Sequence, residues 1–347
     1  MKAIFAEGSN NVGDDLNAWL WPALLGDIEA EQSVVLGIGT LLNEEFCNRL
    51  NSARKICVMG TGAGYGSLPK VDDRWCFYAV RGKRTAAALK LEADTAVADS
   101  AYFLASLDWH GAREGQQGDV VVIPHHRSLR YLDWADVCQR AGVRFLSPLT
   151  PPAEFIKAVH SARLVLTEAM HGAILADIVR APWKAFSFGR QFNGEKWLDW
   201  AEMFELDHEI EPISGFYDPT VFGPDRPLHY HLSKHLKEHL SRISLGRRKW
   251  RKMTPPAFSV EKAKDKLASA LARLSNAAGF LSRDEIMLQR VELLYQRLGR
   301  MRADFDAPFS APLGGDPYAF LRKFAPSPVT PGIPLQKRTD TALQVAI

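Results

Sequence analysis

Short apolar runs alternate with longer amphipathic stretches through the first 240 residues of the chain. Residues 3–6, 34–38, 56–59, 77–80, 95–98 and 120–123 have the length and the β-branched or aromatic content of buried strands, and helical spacing lies between them, as over 16–25, 83–91 and 133–141. Strands that alternate with helices predict a parallel α/β sheet, because parallel neighbours need a long crossover. The doublet Pro151-Pro152 marks a junction, and strands near Phe145, 164–166 and 184–188 make a second α/β unit that runs to about residue 240. The predicted division is therefore one domain over 1–145 and another over 146–240.

After Pro255-Pro256 the period changes. Val260, Ala263, Leu267, Ala270, Leu271 and Leu274 form one helical stripe, and Met287, Val291, Leu294, Leu298 and Met301 form a second. Ser282 with Glu285 has capping-box spacing ahead of the second stripe. The expectation is an antiparallel helical hairpin over 258–303, reached through a linker over 241–257. Recurrent prolines and the loss of periodicity predict a disordered tail over 304–347.

Composition narrows the class. A length of 347 residues and 46% hydrophobic content suit two cored domains. The lack of a long apolar run predicts no transmembrane helix, and the opening strand-like residues lack the regions of a signal peptide, so a cytoplasmic location is expected. A net charge of only +3 argues against a general nucleic-acid binder. Cys47, Cys57, Cys76 and Cys138 form no CxxC pair, which predicts reduced core residues and no metal cage. The charge is uneven, however: residues 242–252 (RISLGRRKWRK) are a basic cluster around a tryptophan.

Candidate chemistry gathers at the C-terminal ends of the predicted strands, where open α/β sheets bind ligands. The run 164–166 stops at Thr167-Glu168, and an apolar helix begins near Gly172, so Glu168 and His171 lie at a strand end and a helix start. Free N–H groups there favour anions, and an imidazole beside them suits transfer from a phosphorylated or carboxylated donor. Asn10, Gly13 and Asp14 follow the first strand; Asp14 reads either as a group that orients or deprotonates a hydroxyl or as an Asx turn capping the next helix. Gly37 and Gly39 follow the second strand. Gly60, Gly62, Gly64 and Gly66 follow the third, where their amides can face a phosphate or simply form a flexible loop. Their spacing matches neither GxGxxG nor a P-loop.

Further along, Arg81, pinned by Gly82, suits a carboxylate or phosphate, whereas Lys83 and Arg84 read as a solvated first turn. Asp94 and Asp99 read as caps. His125 and His126 are expected to point to different sides, with one near a ligand. Arg190, Asn193, Lys196, Trp197 and Trp200 either line a sugar cleft or belong to an amphipathic helix with tryptophan core anchors.

Taken in order, Asn10-x-x-Gly13-Asp14, Gly37-Ile-Gly39, the loop from Gly60 to Gly66, Arg81-Gly82, Asp99, Ile123-Pro124-His125 and Ser161-Ala-Arg through Met170-His171-Gly-Ala-Ile to Pro182 resemble the polysaccharide pyruvyl transferase family, in its bacterial exopolysaccharide ketal-forming branch. The resemblance implies a GT-B-like architecture of two Rossmann-like domains with parallel sheets facing a cleft. It implies transfer of pyruvate from phosphoenolpyruvate, a co-substrate, to a lipid-linked exopolysaccharide repeat unit, with no cofactor or metal. On this reading His171, Glu168 and Asp14 are catalytic. Asn10, Gly13, Gly39, Gly60, Gly62, Gly64, Arg81, His125, Arg163 and Arg190 bind the donor, and Asn193, Lys196 and Trp197 bind the acceptor.

One departure stands out. Many members carry an arginine before the Leu-His of the last motif, whereas here Ala169-Met170 precedes His171. The donor's anionic groups must then be met by Arg81, Arg163, Arg190 or Lys196. The basic cluster over 242–252 suits contact with an anionic membrane face, since each such residue contributes roughly 1 kcal/mol there. The rival readings are a GT-B glycosyltransferase using a nucleotide sugar, and a non-catalytic scaffold of a polysaccharide synthesis complex.

Overall fold

The computed structural model describes residues 1–6, 11–26, 28, 30, 32–109, 118–188, 192–207, 209–213, 257–308 and 311–323. Asn10, Arg190, the basic stretch 242–252 and the chain from 324 onward lie outside the described residues.

Among the described residues nine strands form two wholly parallel sheets. The first has the order β1-β2-β3-β4, from Lys2–Ala3, Ser33–Leu36, Lys55–Met59 and Trp75–Ala79. The second has the order β6-β5-β7-β8-β9, where β5 is Val120–Ile123, β6 Arg144–Phe145, β7 Leu164–Thr167, β8 Trp183–Ser187 and β9 Ile210–Pro212. All four residues of β5 and of β7 are buried, as expected when helices cover both faces of a parallel sheet. The covering helices include α1 (Val12–Asp15), α2 (Asn17–Leu25), α3 (Glu44–Cys47), α4 (Lys83–Ala88), α5 (Trp134–Arg140), α6 (Pro152–His160), α7 (Met170–Ile178) and α8 (Gly194–Ala201). One apolar core runs continuously from Leu36 and Val58 in the first sheet to Val165 in the second and Ile174 in α7. A smaller core lies on the other face of the second sheet, around Trp134, Leu166 and Phe186.

Several expectations are corrected. Residues 95–98 do not form a strand; their ladder is one bridge from Ala96 to Val80, and Asp99 then turns the chain into the 3-10 helix Ser100–Ser106. The strand at 120–123, grouped by pattern with the first set, pairs with β7 in the second sheet, and β6 pairs with its other edge.

The two late helices, Ala257–Leu274 and Asp284–Ala303, form as the stripes predict, but their apolar faces are buried by the body of the protein. Leu267, Leu271 and Leu274 join the core beneath α5, whereas Val291, Leu294 and Leu298 join the core of the first sheet, with Tyr295 edge-on to Phe103. Between the helices, Phe280 exchanges two backbone hydrogen bonds with Trp183 at 2.7 and 3.1 Å, so the chain crosses from the second sheet to the first. The capping box does not form. Ser282 instead donates its backbone N–H and its hydroxyl to buried Asp177, each at 2.7 Å. Within the stretch expected to be disordered, Pro317–Lys323 is a helix: Leu321 is buried and the Tyr318 hydroxyl lies 2.6 Å from His160 Nδ1.

Candidate active site

The C-terminal ends of the two sheets meet through their loops. Val12 N–H donates to Pro148 C=O at 3.2 Å, and Asn193 Nδ2 donates to Gly64 C=O at 2.6 Å. The residues between these ties form the candidate site.

At its floor, Thr167 ends β7. Its hydroxyl oxygen accepts from Ala169 N–H at 3.0 Å, which turns the chain sharply into α7. That turn places His171 in the first turn of α7, buried, with its ring against α1. A Cβ on Gly13 would lie 2.0 Å from His171 Nδ1, so only glycine lets the ring approach this closely. Asn11 caps α1 by accepting from Gly13 N–H, and its Nδ2 donates to Asp14 Oδ2 at 3.2 Å. The Asx turn considered for Asp14 is thus made by Asn11, and the half-buried Asp14 carboxylate sits beside Gly39 at the mouth of the site. On the other edge of the ring, His171 Nε2 lies 3.6 Å from Asp99 Oδ2. Glu168 is 1% exposed, and its Oε2 accepts from His125 N–H at 2.9 Å, tying the loop after β5 to the start of α7.

The glycine loop differs from a phosphate cradle over its first half. Gly60 N–H donates to Ala79 C=O, Gly62 N–H to Gly39 C=O and Ala63 N–H to the Thr85 hydroxyl, so these amides are engaged inside the protein. Gly60 adopts φ +81°, where a Cβ would lie 2.4 Å from Ser100 Oγ. Gly62 leaves room for Arg81, whose Cζ would lie 2.2 Å from an added Cβ.

Arg81 is itself fully buried. Its Nε donates to Asp199 at 3.0 Å, Nη1 to Thr40 Oγ1 at 3.0 Å and Nη2 to Ala63 C=O at 2.8 Å. Asp199 also accepts from Thr85 N–H at 2.9 Å and from the Thr85 hydroxyl at 2.7 Å. This cluster clamps α8 to the glycine loop and to α4. The guanidinium expected at the donor is therefore committed to the scaffold.

Two other expectations fail on position. Arg163 precedes β7, at the edge of the sheet opposite Glu168 and His171, and its Nη1 reaches Ser275 C=O. Trp197 is a core residue, stacked on Phe192 with ring centres 5.6 Å apart and packed on Trp183, because residues 197 and 200 share the inner face of α8. Asn193 caps α8 by accepting from Glu195 N–H at 3.1 Å.

Lys196 points out of α8 the other way. Its Nζ lies 2.7 Å from the Tyr65 hydroxyl and 4.4 Å from that ring's centre, and its stem packs on Gly64. Burial, with Arg81 and Arg127 nearby, pushes its ammonium down to about 7 against the pull of Asp14 and Asp99. The His125 and His126 rings lie 4.2 Å apart and tilted, not on opposite sides, because His125 is extended and caps the 3-10 helix His126–Arg130. Burial is the main cause that pushes His125 down to about 2 and His126 to about 4; for His125 the His126 ring follows, and for His126 the Arg127 guanidinium. Both are therefore neutral near pH 7. His125 Nδ1 accepts from Arg127 N–H at 3.2 Å, which assigns its own proton to Nε2.

Asp14, Tyr65, His125, His126, Arg127 and Lys196 thus gather between the two sheets, with His171 packed on Gly13 beside Asp14. Tyr65 and Arg127 were not among the residues expected here, and both histidines lie here where one of the two was expected. The signal for Arg127 was adjacency to the His125 motif, and for Tyr65 its place within the glycine run. Among the described residues no group of three His, Cys, Asp or Glu side chains could hold a metal ion, and no helix is long and apolar enough to cross a membrane.

A family model described as polysaccharide pyruvyl transferase matches residues 11–187. The chain is also 29% identical over 320 residues to the succinoglycan biosynthesis protein ExoV of Rhizobium meliloti (strain 1021), a match covering 88% of this chain and 100% of that protein. No solved structure matches it.

Proposed function

This chain belongs to the polysaccharide pyruvyl transferase family, and from that premise we propose that it moves the pyruvyl unit of phosphoenolpyruvate onto a sugar of an exopolysaccharide repeat unit, closing a pyruvate ketal. The similarity to a protein named for succinoglycan biosynthesis supports a polysaccharide acceptor. The observation that carries the reading is the convergence of Lys196 and Arg127 with His171 and Asp14 in one cleft. Lys196 and Arg127 offer the positive charge that the absent arginine before His171 would otherwise supply, and His125 adds a neutral N–H donor. With Arg81 engaged in the scaffold and Arg163 on the far edge, these residues seat the donor's phosphate and carboxylate. The two sheets act as GT-B-like, Rossmann-like units facing this cleft.

In the proposed reaction His171, protonated, gives its proton to the methylene carbon of the donor. The double-bond electron pair forms the new C–H bond, and C2 becomes an oxocarbenium centre. A sugar hydroxyl attacks C2 and its proton passes to Asp14, the accessible carboxylate; Glu168 is enclosed and holds the His125 amide. Phosphate then departs with its C–O bonding pair, and a second hydroxyl of the sugar closes the ketal, its proton leaving with the phosphate. Asp14 returns its proton to His171. General acid–base participation of this kind contributes about 10²- to 10⁴-fold to the rate.

The acceptor is taken to be lipid-linked at the cytoplasmic membrane face, with the basic stretch 242–252 contacting anionic lipid. Flotation with anionic vesicles at low and high salt tests that contact, and no binding at low salt removes it. Ligand-observed NMR with phosphoenolpyruvate, and separately with UDP- and GDP-sugars, tests the donor. Binding of phosphoenolpyruvate that weakens in Lys196→Met is expected; binding of a nucleotide sugar alone would replace this reading with a glycosyltransferase. Binding of neither would return the protein to a scaffold role.

A further inference from the structure

His171 Nε2 and Asp99 Oδ2 are both buried, face each other at 3.6 Å, and neither has a hydrogen-bond partner. Burying polar atoms unpaired is costly, and such atoms in a folded protein call for a reason. Asp99 is completely buried, and its other oxygen, Oδ1, is already in use: it accepts from Ala101 N–H at 3.0 Å and caps the helix Ser100–Ser106. The Oδ2 atom is therefore aimed at the imidazole by a cap that fixes the carboxylate plane. The opposite ring nitrogen, Nδ1, lies where Gly13 has no side chain, on the side of Asp14.

We propose that Asp99 is a positioning residue for His171: it accepts the Nε2–H hydrogen bond and so fixes Nδ1 as the nitrogen that exchanges protons with donor and acceptor. The inference rests on the reading of His171 as the proton donor. The 3.6 Å gap closes by under 1 Å to an ordinary hydrogen bond, the tightening expected of catalytic contacts when substrate binds. After Nδ1 gives up its proton, the neutral ring keeps Nε2–H against a fixed anion, so it is poised to take a proton back at Nδ1. The charged groups that bear on the ring are Asp99 at Nε2, Asp14 next to the Gly13 that the ring packs against, and Lys196 from α8, whose ammonium feels both Asp14 and Asp99.

The test is imidazole 15N NMR on the full chain, with His171 assigned among the ten histidines by comparison with His171→Gln. The wild type is expected to show His171 as the Nε2–H tautomer when neutral. Asp99→Asn retains the Oδ1 cap and the side-chain volume while removing the charge. It is expected to lower the pKa of His171, to move the alkaline limb of the kcat profile to lower pH, and to reduce kcat at least tenfold with the KM for phosphoenolpyruvate unchanged. An Nδ1–H tautomer in the wild type, a measurement that needs no variant, overturns the inference. So does Asp99→Asn with an unmoved His171 pKa and pH profile. These failures leave the function intact if His171→Ala is inactive; a fully active His171→Ala overturns the reading on which the inference rests.

Discussion

Two buried charged clusters lie beneath the same cleft and are built in opposite ways. In the first, Arg81 and Asp199 are fully enclosed, and Nε, Nη1 and Nη2 of the guanidinium and both oxygens of the carboxylate are bonded, through Thr40, Ala63 and Thr85. In the second, Asp99 is fully enclosed and His171 nearly so, yet Nε2 and Oδ2 are left unbonded, with Nδ1 facing a turn that lacks a side chain. A satisfied buried ion pair is a strut: its value lies in what collapses when one partner is lost. An unsatisfied pair holds unmet hydrogen-bonding capacity that chemistry can use. The difference separates the residues that shape the cleft from those that act in it, although arginine and histidine look equally functional in the sequence.

Removing one member of each pair should have opposite consequences. His171→Ala is expected to lower turnover by about 10²- to 10⁴-fold with a melting transition close to wild type; near-normal turnover places His171 among the struts. Asp199→Ala should do the reverse and destabilise the fold by about 3–5 kcal/mol in urea denaturation, because it strands a buried guanidinium. A loss under about 1 kcal/mol would show that the first cluster is no clamp. Ser282→Ala touches the opposite end of α7 from His171. It removes a hydroxyl donor from buried Asp177, an expected cost of about 1–3 kcal/mol with unchanged kcat.

The smallest effect concerns pH. With its ammonium pushed down to about 7, Lys196 loses charge as pH rises through that value, so the KM for the donor should climb on the alkaline side, by up to roughly tenfold per pH unit, about 1.4 kcal/mol. Lys196→Arg keeps its charge and should abolish that limb. A KM profile identical in the two proteins would remove Lys196 from the donor seat.

How much of this could be read from the chain depended on what each signal reports. The apolar tetrads of β5 and β7 were legible because both faces of those strands are buried, so every position carries the signal. The strand–turn–helix around Glu168 and His171 was legible for a related reason: the end of the apolar run fixes where the sheet edge lies. Periodicity over 258–303 showed that each helix buries a face but not what buries it, so two helices that pack on different sheets read as a hairpin. The same limit applied to α8, where spacing alone could not decide whether Trp197 faced sugar or core. Asp199 left no trace, since a carboxylate on an amphipathic helix usually faces solvent, and only the tertiary approach of Arg81 makes it a buried partner. The glycine loop was located correctly in the chain, but its first amides are directed inward by contacts with Ala79, Gly39 and Thr85 that come from distant segments.

Pyruvyl transfer from phosphoenolpyruvate by this route places a solvent-derived proton on the methylene carbon. The most direct measurement is turnover in D₂O with phosphoenolpyruvate and lipid-linked saccharides extracted from the source cells, followed by ³¹P NMR for phosphate and by mass and proton NMR for the product. The expected result is release of inorganic phosphate matched by a ketal whose methyl group carries one deuterium, with neither formed by His171→Ala. A product methyl without deuterium, or a saccharide extended only when a nucleotide sugar is supplied, would contradict it.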